Sequence, residues 1–370
     1  MKKNYLLLLC TFALFGAVSC SDNSDDTIET PDVEQSSASK LYTLNSGSFG
    51  SNNASLSSYN TEDGVVVEDL FLSQNGQGLG DTAQDIIMFE DKLFITVYGS
   101  GLIFVTELDG TIITQIVDDY YEDPRYLAAD DDYVYVSYYD GGVGKIDPTT
   151  YEVTTASITT EGNPEQVALV DSNLYVAVSD YGYGNAESVV AVFDTTSMTL
   201  SKNIAVIQNP TALAANSTGD VFVISMGNYG YGDPAIYATL QKIDATTEAV
   251  TELSISGVEG NLPSTMVMGV DDVLYVVEGI SDYSTDWQMV GSVYAYNTTT
   301  GSATEFISDG TSVPAIYSIS TNLTNGEVYV GSSDYYNTGD VYLFNADGTL
   351  KTSFEVGLNP IKVIEVDVEE

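Results

Sequence analysis

The stretch DPRYLAADDDYVYVSYYDGGVGKID, Asp123 to Asp147, contains the repeating unit that decides the fold. It begins with a proline-led apolar run, turns at a group of aspartates, and continues as two runs in which apolar and polar residues alternate. Alternation with a period of two is typical of half-buried strands separated by turns. The unit therefore predicts antiparallel strands joined by short connections.

Related units occur along the chain, each with an aromatic residue at the centre of its second strand. These residues are Tyr42, Phe94, Tyr135, Tyr175, Phe222, Tyr275 and Tyr329. Their spacings of 40 to 54 residues are typical of four-stranded propeller blades. An Asn or Asp closes the third strand of every unit, at Asn60, Asp109, Asp147, Asp194, Asp244, Asn297 and Asn345. We predict an all-β, seven-bladed β-propeller with four-stranded antiparallel blades and no helical segment of any length.

The two ends of the chain complete this prediction. The C-terminal run NPIKVIEVDVEE supplies a further proline-led inner strand without the rest of a blade, whereas the first blade lacks its own inner strand. The C-terminal strand is therefore expected to close the first blade, which leaves no open sheet edge. The predicted propeller domain spans residues 40–370.

The N-terminus has the pattern of an export signal. Two lysines precede an apolar run that is too short for a mature membrane span, which predicts a signal peptide over residues 1–19. The small residues before Cys20 resemble a bacterial lipobox, so Cys20 is the predicted lipidated residue; an ordinary cleavage site is the alternative. Residues 20–39 are acidic with little to bury, which predicts a flexible tether.

The composition limits the possible functions. A formal net charge of -44, with ten Lys and Arg residues in total, argues against nucleic-acid binding. The chain has no histidine, which removes the commonest general base and transition-metal ligand. An enzyme, catalytic residues and a bound metal are therefore not predicted. Glu165 with Asp85 could hold a calcium ion as in propeller lactonases, which remains an alternative.

Aromatic residues gather in the loops between second and third strands, which lie on one face of a propeller. Tyrosine and tryptophan combine apolar area with a polar tip, and are suited to ligand binding. The predicted ligand-binding residues are Phe49, Tyr98, Arg125, Tyr138, Tyr139, Tyr181, Tyr183, Tyr229, Tyr231, Tyr283, Trp287, Tyr335 and Tyr336. Packing between blades is the alternative for any single tyrosine. Arg125, the only arginine, either contacts the ligand or pairs with Asp123 or Glu165.

The repeat units, together with LYTLNSGSFGSNNASLSSYN (residues 41–60) and LGDTAQDIIMFEDKLFITVYGSG (residues 79–101), resemble the YncE-like propeller lipoproteins of Bacteroidetes, most closely the BtuG-type surface lipoproteins. The resemblance covers essentially the whole mature chain. It implies a lipid-anchored protein on the outer membrane, facing the cell exterior. Such a protein captures cobalamin, a corrinoid, as a transported ligand and not as a cofactor, and passes it to a TonB-dependent transporter. A glycan-binding accessory protein and a protein-interaction scaffold are the alternatives.

Overall fold

The computed structural model describes residues 39–180, 188–228, 234–255, 265–282 and 288–367. These residues form seven four-stranded antiparallel sheets, and almost all regular structure is β. Each sheet is one propeller blade. The predicted all-β, seven-bladed β-propeller is therefore confirmed.

In each of the first four blades, the strands follow one another in order from the channel outward. Blade 1 contains β28 (Pro360–Asp367), β1 (Ser39–Asn45), β2 (Ser55–Asn60) and β3 (Val66–Val67). Blade 2 contains β4 (Ala83–Phe89), β5 (Lys92–Val97), β6 (Leu102–Glu107) and β7 (Ile112–Ile116). Blade 3 contains β8 (Pro124–Ala129), β9 (Val134–Tyr138), β10 (Gly142–Ile146) and β11 (Val153–Ser157). Blade 4 contains β12 (Asn163–Val170), β13 (Asn173–Ser179), β14 (Val189–Asp194) and β15 (Thr199–Ala205).

The remaining three blades follow the same order. Blade 5 contains β16 (Pro210–Ala215), β17 (Val221–Ser225), β18 (Thr239–Ile243) and β19 (Val250–Leu253). Blade 6 contains β20 (Met266–Met268), β21 (Val273–Asp282), β22 (Gln288–Asn297) and β23 (Ser302–Glu305). Blade 7 contains β24 (Ile316–Thr321), β25 (Val328–Ser332), β26 (Asp340–Phe344) and β27 (Leu350–Glu355). Short 3₁₀ turns occur at Tyr98–Ser100 and Val270–Asp272.

The C-terminal strand closes the ring as predicted. β28 pairs antiparallel with β1, with Leu41 opposite Glu365 and Thr43 opposite Val363. Blade 1 thus takes its inner strand from the end of the chain and its other three strands from the beginning. This pairing satisfies backbone groups that would otherwise form an open edge between the first and last blades.

The core lies between neighbouring blades. The central aromatic residues of the seven units are all buried, with exposed fractions between 0% and 7%. The buried apolar residues of the described chain form seven clusters, each combining side chains from two adjacent blades. Alternation therefore places one apolar face of each strand against the next blade, which explains why all seven units need the same pattern.

The Asn or Asp that closes each third strand makes a local turn. The Asp147 carboxylate accepts hydrogen bonds from the N–H groups of Thr149 and Thr150, both at 2.8 Å. Asp244 accepts from the N–H of Thr247 at 2.8 Å. These backbone hydrogen bonds are the main reason that the pKa values of the two aspartates are lowered. Such side-chain turns favour Asp and Asn at these positions.

The described residues include one short α-helix, where the sequence predicted none. α1 (Leu70–Asn75) lies between β3 and β4 and buries Leu70 and Phe71. Asp69 caps its N-terminus by accepting a hydrogen bond from the Leu72 N–H at 3.0 Å. The prediction that no helical segment occurs was wrong here, because six residues are too few to show a helical period of apolar residues.

Stability should fall at alkaline pH because of the buried tyrosines. Burial, followed by the Asp109 carboxylate, raises the pKa of Tyr42 from 10.0 to about 12. A pKa that is higher in the folded than in the unfolded state contributes stability below pH 10, which is lost as the pH rises towards 12. For Tyr42, the expected decrease in unfolding free energy is about 2–3 kcal/mol. Urea unfolding between pH 8 and 11.5 should show most of this decrease, with a shallower slope for Tyr42→Phe; equal slopes would contradict it.

Candidate functional site

One face of the propeller carries the loops between the second and third strands and the links into the next blade. We call it the aromatic face. Five predicted site residues with described positions lie in its second-to-third-strand loops: Phe49, Tyr98, Tyr139, Tyr335 and Tyr336. The opposite face carries the other two turns of each blade.

Three aromatic rings from consecutive blades form a continuous surface, which we call the aromatic arc. Phe49, Tyr98 and Tyr139 come from blades 1, 2 and 3. The ring centroids of Phe49 and Tyr98 are 6.5 Å apart, and those of Tyr98 and Tyr139 are 5.9 Å apart in an edge-to-face arrangement. Phe49 is 76% exposed. The arc therefore presents apolar surface to solvent from residues far apart in sequence.

The Arg125 guanidinium packs against two rings of the aromatic arc. Its guanidinium carbon lies 5.0 Å from the ring centroid of Tyr98 and 5.2 Å from that of Tyr139, within cation–π distance. Its Nη2 donates to Glu165 Oε2 at 2.7 Å, and the Glu165 side chain is only 1% exposed. Of the alternatives for Arg125, the structure shows the ion pair with Glu165. The ion pair holds the guanidinium in position, and the rings of Tyr98 and Tyr139 pack against it.

The loops of blades 1 and 2 are tied together beside the arc. The Asp81 carboxylate accepts hydrogen bonds from the Gly50 N–H at 2.8 and 3.0 Å, and the Asp81 N–H donates to Ser100 Oγ at 2.9 Å. A Cβ atom at Gly99 would lie 2.9 Å from the Asp81 carbonyl oxygen. Gly99 is therefore required for this close approach, and the loops that carry Phe49 and Tyr98 are held in position.

The blade 7 loop presents a second pair of rings. Tyr335 has a positive φ of 67°, which is uncommon for a bulky residue. Its N–H donates to Ser333 Oγ at 3.0 Å, and Asp334 accepts from the Tyr336 N–H at 2.9 Å. The Tyr335 ring packs edge-to-face on Tyr317 with centroids 5.5 Å apart. These contacts maintain an unfavourable backbone conformation, as is frequent at ligand-binding loops.

The structure places Tyr138 inside the protein. It is 2% exposed, and its ring stacks on Tyr121 with centroids 5.5 Å apart. Strand alternation explains the difference from its neighbour, since adjacent side chains of a strand point to opposite sides. Tyr138 therefore packs between blades 2 and 3, whereas Tyr139 joins the arc.

Part of the predicted site belongs to segments outside the structural description. Tyr181, Tyr183, Tyr229, Tyr231, Tyr283, Trp287 and the predicted lipidation site Cys20 lie outside the described residues. In the sequence, the aromatic residues fall between the second and third strands of blades 4, 5 and 6, and Cys20 precedes β1. Their assignment as binding or lipidation residues remains a prediction.

Below the aromatic face, the central channel contains a cavity of about 810 Å³. Its walls come mainly from the inner strands. Residues that matter for its chemistry are Gln84, Asp85, Tyr126, Gln166, Tyr317, Tyr335 and Lys362. The sequence prediction missed Tyr126 and Tyr317, although both follow a blade-leading proline within three residues, which was the available signal.

A repeated irregularity directs side chains to the channel mouth. In six of the seven inner strands, the pairing register with the second strand shifts near the beginning of the inner strand. Such β-bulges bend a strand and re-aim side chains, and they are frequent beside binding sites. Gln84, Tyr126 and Tyr317 all lie at these shifts, in blades 2, 3 and 7.

The phenols of the site remain neutral at physiological pH. Burial, followed by the Asp123 carboxylate, raises the pKa of Tyr98. Burial, followed by the Glu165 carboxylate, raises the pKa of Tyr139. Burial also raises the pKa of Tyr126 and Tyr317, as the largest cause for each. The site therefore offers neutral hydroxyl groups that can both donate and accept hydrogen bonds.

The two carboxylates of the alternative calcium site contact cationic side chains. Glu165 contacts the Arg125 guanidinium, and Asp85 Oδ1 accepts from Lys362 Nζ at 2.6 Å. Asp85 Oδ2 also accepts from the Leu127 N–H at 2.8 Å. Within the described ranges, no group of three or more acidic or other ligating residues could hold a metal ion.

The fold and the site define a seven-bladed β-propeller whose loop face is consistent with a binding or interaction role. The chain belongs to the family described as Domain of unknown function (DUF5074), which it matches over residues 40–358. No curated protein matches its sequence.

Solved structures share the fold at low sequence identity. A quinonprotein alcohol dehydrogenase-like protein from Bacteroides thetaiotaomicron VPI-5482 is similar with a TM-score of 0.62 and 16% identity, over 89% of this chain and 78% of that one. Virginiamycin B lyase from Staphylococcus aureus has a TM-score of 0.55 and 14% identity, over 74% and 83%. The WD40 propeller domain of Doa1 has a TM-score of 0.57 and 15% identity, over 80% and 87%. These similarities show the fold alone.

Among the helices that the structure describes, none has both the length and the apolar character needed to cross a bilayer.

Proposed function

We propose that this protein is a non-enzymatic surface lipoprotein that captures a corrinoid on its aromatic face. The observation that carries the proposal is the aromatic arc, in which the exposed ring of Phe49 and the half-buried rings of Tyr98 and Tyr139 form one surface. The Arg125 guanidinium, paired with Glu165, contacts the two tyrosine rings. Rings that are fixed before binding lose little conformational freedom when a ligand lies on them. The arc is therefore suited to hold a large amphipathic molecule.

The chemistry of a corrinoid agrees with this surface. A corrinoid has a broad apolar body and several carboxamide arms. Its body can lie on the rings of the arc, while its amides can exchange hydrogen bonds with neutral tyrosine hydroxyls. The guanidinium of Arg125 contacts Glu165 at 2.7 Å, so we assign it a positioning role beneath the rings.

We further propose lipidation at Cys20, location on the outer face of the outer membrane, and transfer of the ligand to a TonB-dependent transporter. β1 begins at Ser39 on the edge opposite the aromatic face, because the loop that follows β1 lies on that face. The seven residues of β1 span about 23 Å. The nineteen residues 20–38 that precede β1 could extend to about 60 Å. This is long enough for the aromatic face to reach a transporter in the same membrane.

Calorimetric titration with cyanocobalamin tests this function. We expect one-to-one binding in the micromolar range or tighter, and retention of the ligand's visible absorbance through gel filtration. Val65→Ala is a suitable control, since Val65 is 55% exposed, lies in a turn of the opposite face and is outside the lining of the channel cavity. The absence of both heat and retained colour at high protein concentration would overturn the corrinoid proposal.

A glycan is the second candidate ligand, favoured by the high exposure of two rings. Phe49 is 76% and Tyr336 is 74% exposed, and such rings can stack on the apolar faces of sugars. Affinity electrophoresis in polysaccharide gels would show retardation of the protein in this case. Retardation without cyanocobalamin binding would assign the aromatic face to a polysaccharide-uptake system.

A further inference from the structure

Three neutral polar side chains that line the channel have no hydrogen-bond partner within the described part of the chain. The hydroxyl groups of Tyr126 and Tyr317 and the carboxamide of Gln84 make no hydrogen bond with any residue that the structure describes, although all three residues line the cavity. Gln84 is only 7% exposed. Buried polar groups are normally paired, so unpartnered groups around a cavity indicate a place where a ligand can bond.

The two tyrosines face the cavity from opposite walls. Tyr126 belongs to blade 3 and Tyr317 to blade 7, which are three blades apart around the ring. Each lies at a register shift of its inner strand. A group that enters the channel mouth can therefore contact hydroxyls on two sides at once.

The charges around the cavity favour a neutral group. The Asp85 carboxylate is balanced by Lys362 at 2.6 Å, and Glu365 accepts a hydrogen bond from the Asn322 carboxamide. The charged residues that line the cavity are two acids, Asp85 and Glu365, and one lysine, Lys362. In a protein of net charge -44, this lining offers no excess positive charge to a carboxylate or phosphate arm. An uncharged arm loses less hydration and meets no like charge.

The cavity is continuous with the aromatic face. Tyr335 lies in a loop of that face and also lines the cavity, where its ring contacts Tyr317. The volume of about 810 Å³ is within the range of about 300–1,000 Å³ that is usual for small-ligand pockets. One ligand can thus cover the face and extend a part of itself into the channel.

We propose that the channel mouth binds an uncharged hydrogen-bonding arm of the ligand that lies on the aromatic face, through Tyr126, Tyr317 and Gln84. The inference rests on the proposed capture function. The arm is a carboxamide if the ligand is a corrinoid, and a hydroxyl-bearing group if the ligand is a glycan. In either case the channel selects against acids.

Phenylalanine variants test this site, because they delete one hydroxyl and keep the ring. We titrate the unchanged protein, the channel variants Tyr126→Phe and Tyr317→Phe, and the control Tyr151→Phe. The ligands are cyanocobalamin, a derivative whose side-chain amides are hydrolysed to carboxylates, and maltotriose. We expect each channel variant to bind the accepted neutral ligand about three- to tenfold more weakly. The control residue lies in the turn between β10 and β11 on the opposite face and outside the cavity lining, so this variant should bind normally. The carboxylate derivative should bind at least tenfold more weakly than cyanocobalamin.

The outcomes separate the two proposals. Cyanocobalamin binding that both channel variants leave unchanged, or a carboxylate derivative that binds equally well, overturns the channel proposal and leaves the capture function standing. Maltotriose binding that the channel variants weaken, without cyanocobalamin binding, supports the channel site and overturns the corrinoid. Binding of neither neutral ligand overturns both.

Discussion

Replacing Arg125 by methionine is expected to lower the free energy of unfolding by about 3–5 kcal/mol. The change removes the cation that contacts Glu165, a carboxylate that is 1% exposed and cannot regain full hydration in the folded state. It also removes the support beneath Tyr98 and Tyr139. Urea unfolding at pH 7 followed by circular dichroism measures the loss.

Two further variants identify the cause of this loss. Lys92→Met is the matched control, because its ion pair with Glu90 is longer, at 3.6 Å, and more exposed. It should change stability by less than about 1 kcal/mol. Adding Glu165→Gln to Arg125→Met should restore part of the stability by removing the buried charge. A loss no larger than that of Lys92→Met would show that the Arg125–Glu165 pair does not stabilise the fold.

The combined change of Tyr98 and Tyr139 to alanine should weaken cyanocobalamin binding about 30- to 100-fold. Each ring that buries about 50 Å² of apolar surface contributes about 1 kcal/mol, and aromatic residues at the centre of an interface often contribute more. Because the two rings contact each other at 5.9 Å, their single effects should not be additive. Calorimetric titration of both single variants and the double variant measures the coupling.

Stability must be measured beside affinity in this experiment. Tyr98 and Tyr139 are partly exposed, so their removal should lower the unfolding free energy far less than the loss of Arg125. Val65→Ala should change neither the affinity nor the stoichiometry. If the double variant bound cyanocobalamin with wild-type affinity, the result would show that the aromatic arc is not part of the binding site.

The propeller could be predicted from sequence because its signals are local and repeated. A buried aromatic residue in each second strand and an Asn or Asp after each third strand occur in all seven units, and the structure confirms both marks. The short helix α1 was not predicted, because its six residues make fewer than two turns and show no helical period of apolar residues. Closure of blade 1 by β28 was predictable, because the C-terminus supplies an inner strand without a blade and the first blade lacks its own inner strand.

The site was predictable only in part. Loop position placed Tyr98, Tyr139 and Tyr335 on one face, but it could not distinguish Tyr139 from the adjacent Tyr138, which the end of strand β9 turns into the interface between blades. Tyr126 and Tyr317 were missed because a β-bulge, and not simple alternation, directs side chains at the start of an inner strand.

The sequence by itself determined the number of blades, the four-strand unit and the face that carries the aromatic loops, because strand period and turn chemistry depend on neighbouring residues. Only the tertiary structure decided which side chains meet. Arg125 contacts Glu165 from the next blade and Lys362 contacts Asp85 across 277 positions of sequence, since ring closure brings the last inner strand beside that of blade 2. Pairing of buried charges depends on this three-dimensional arrangement, which no local pattern encodes.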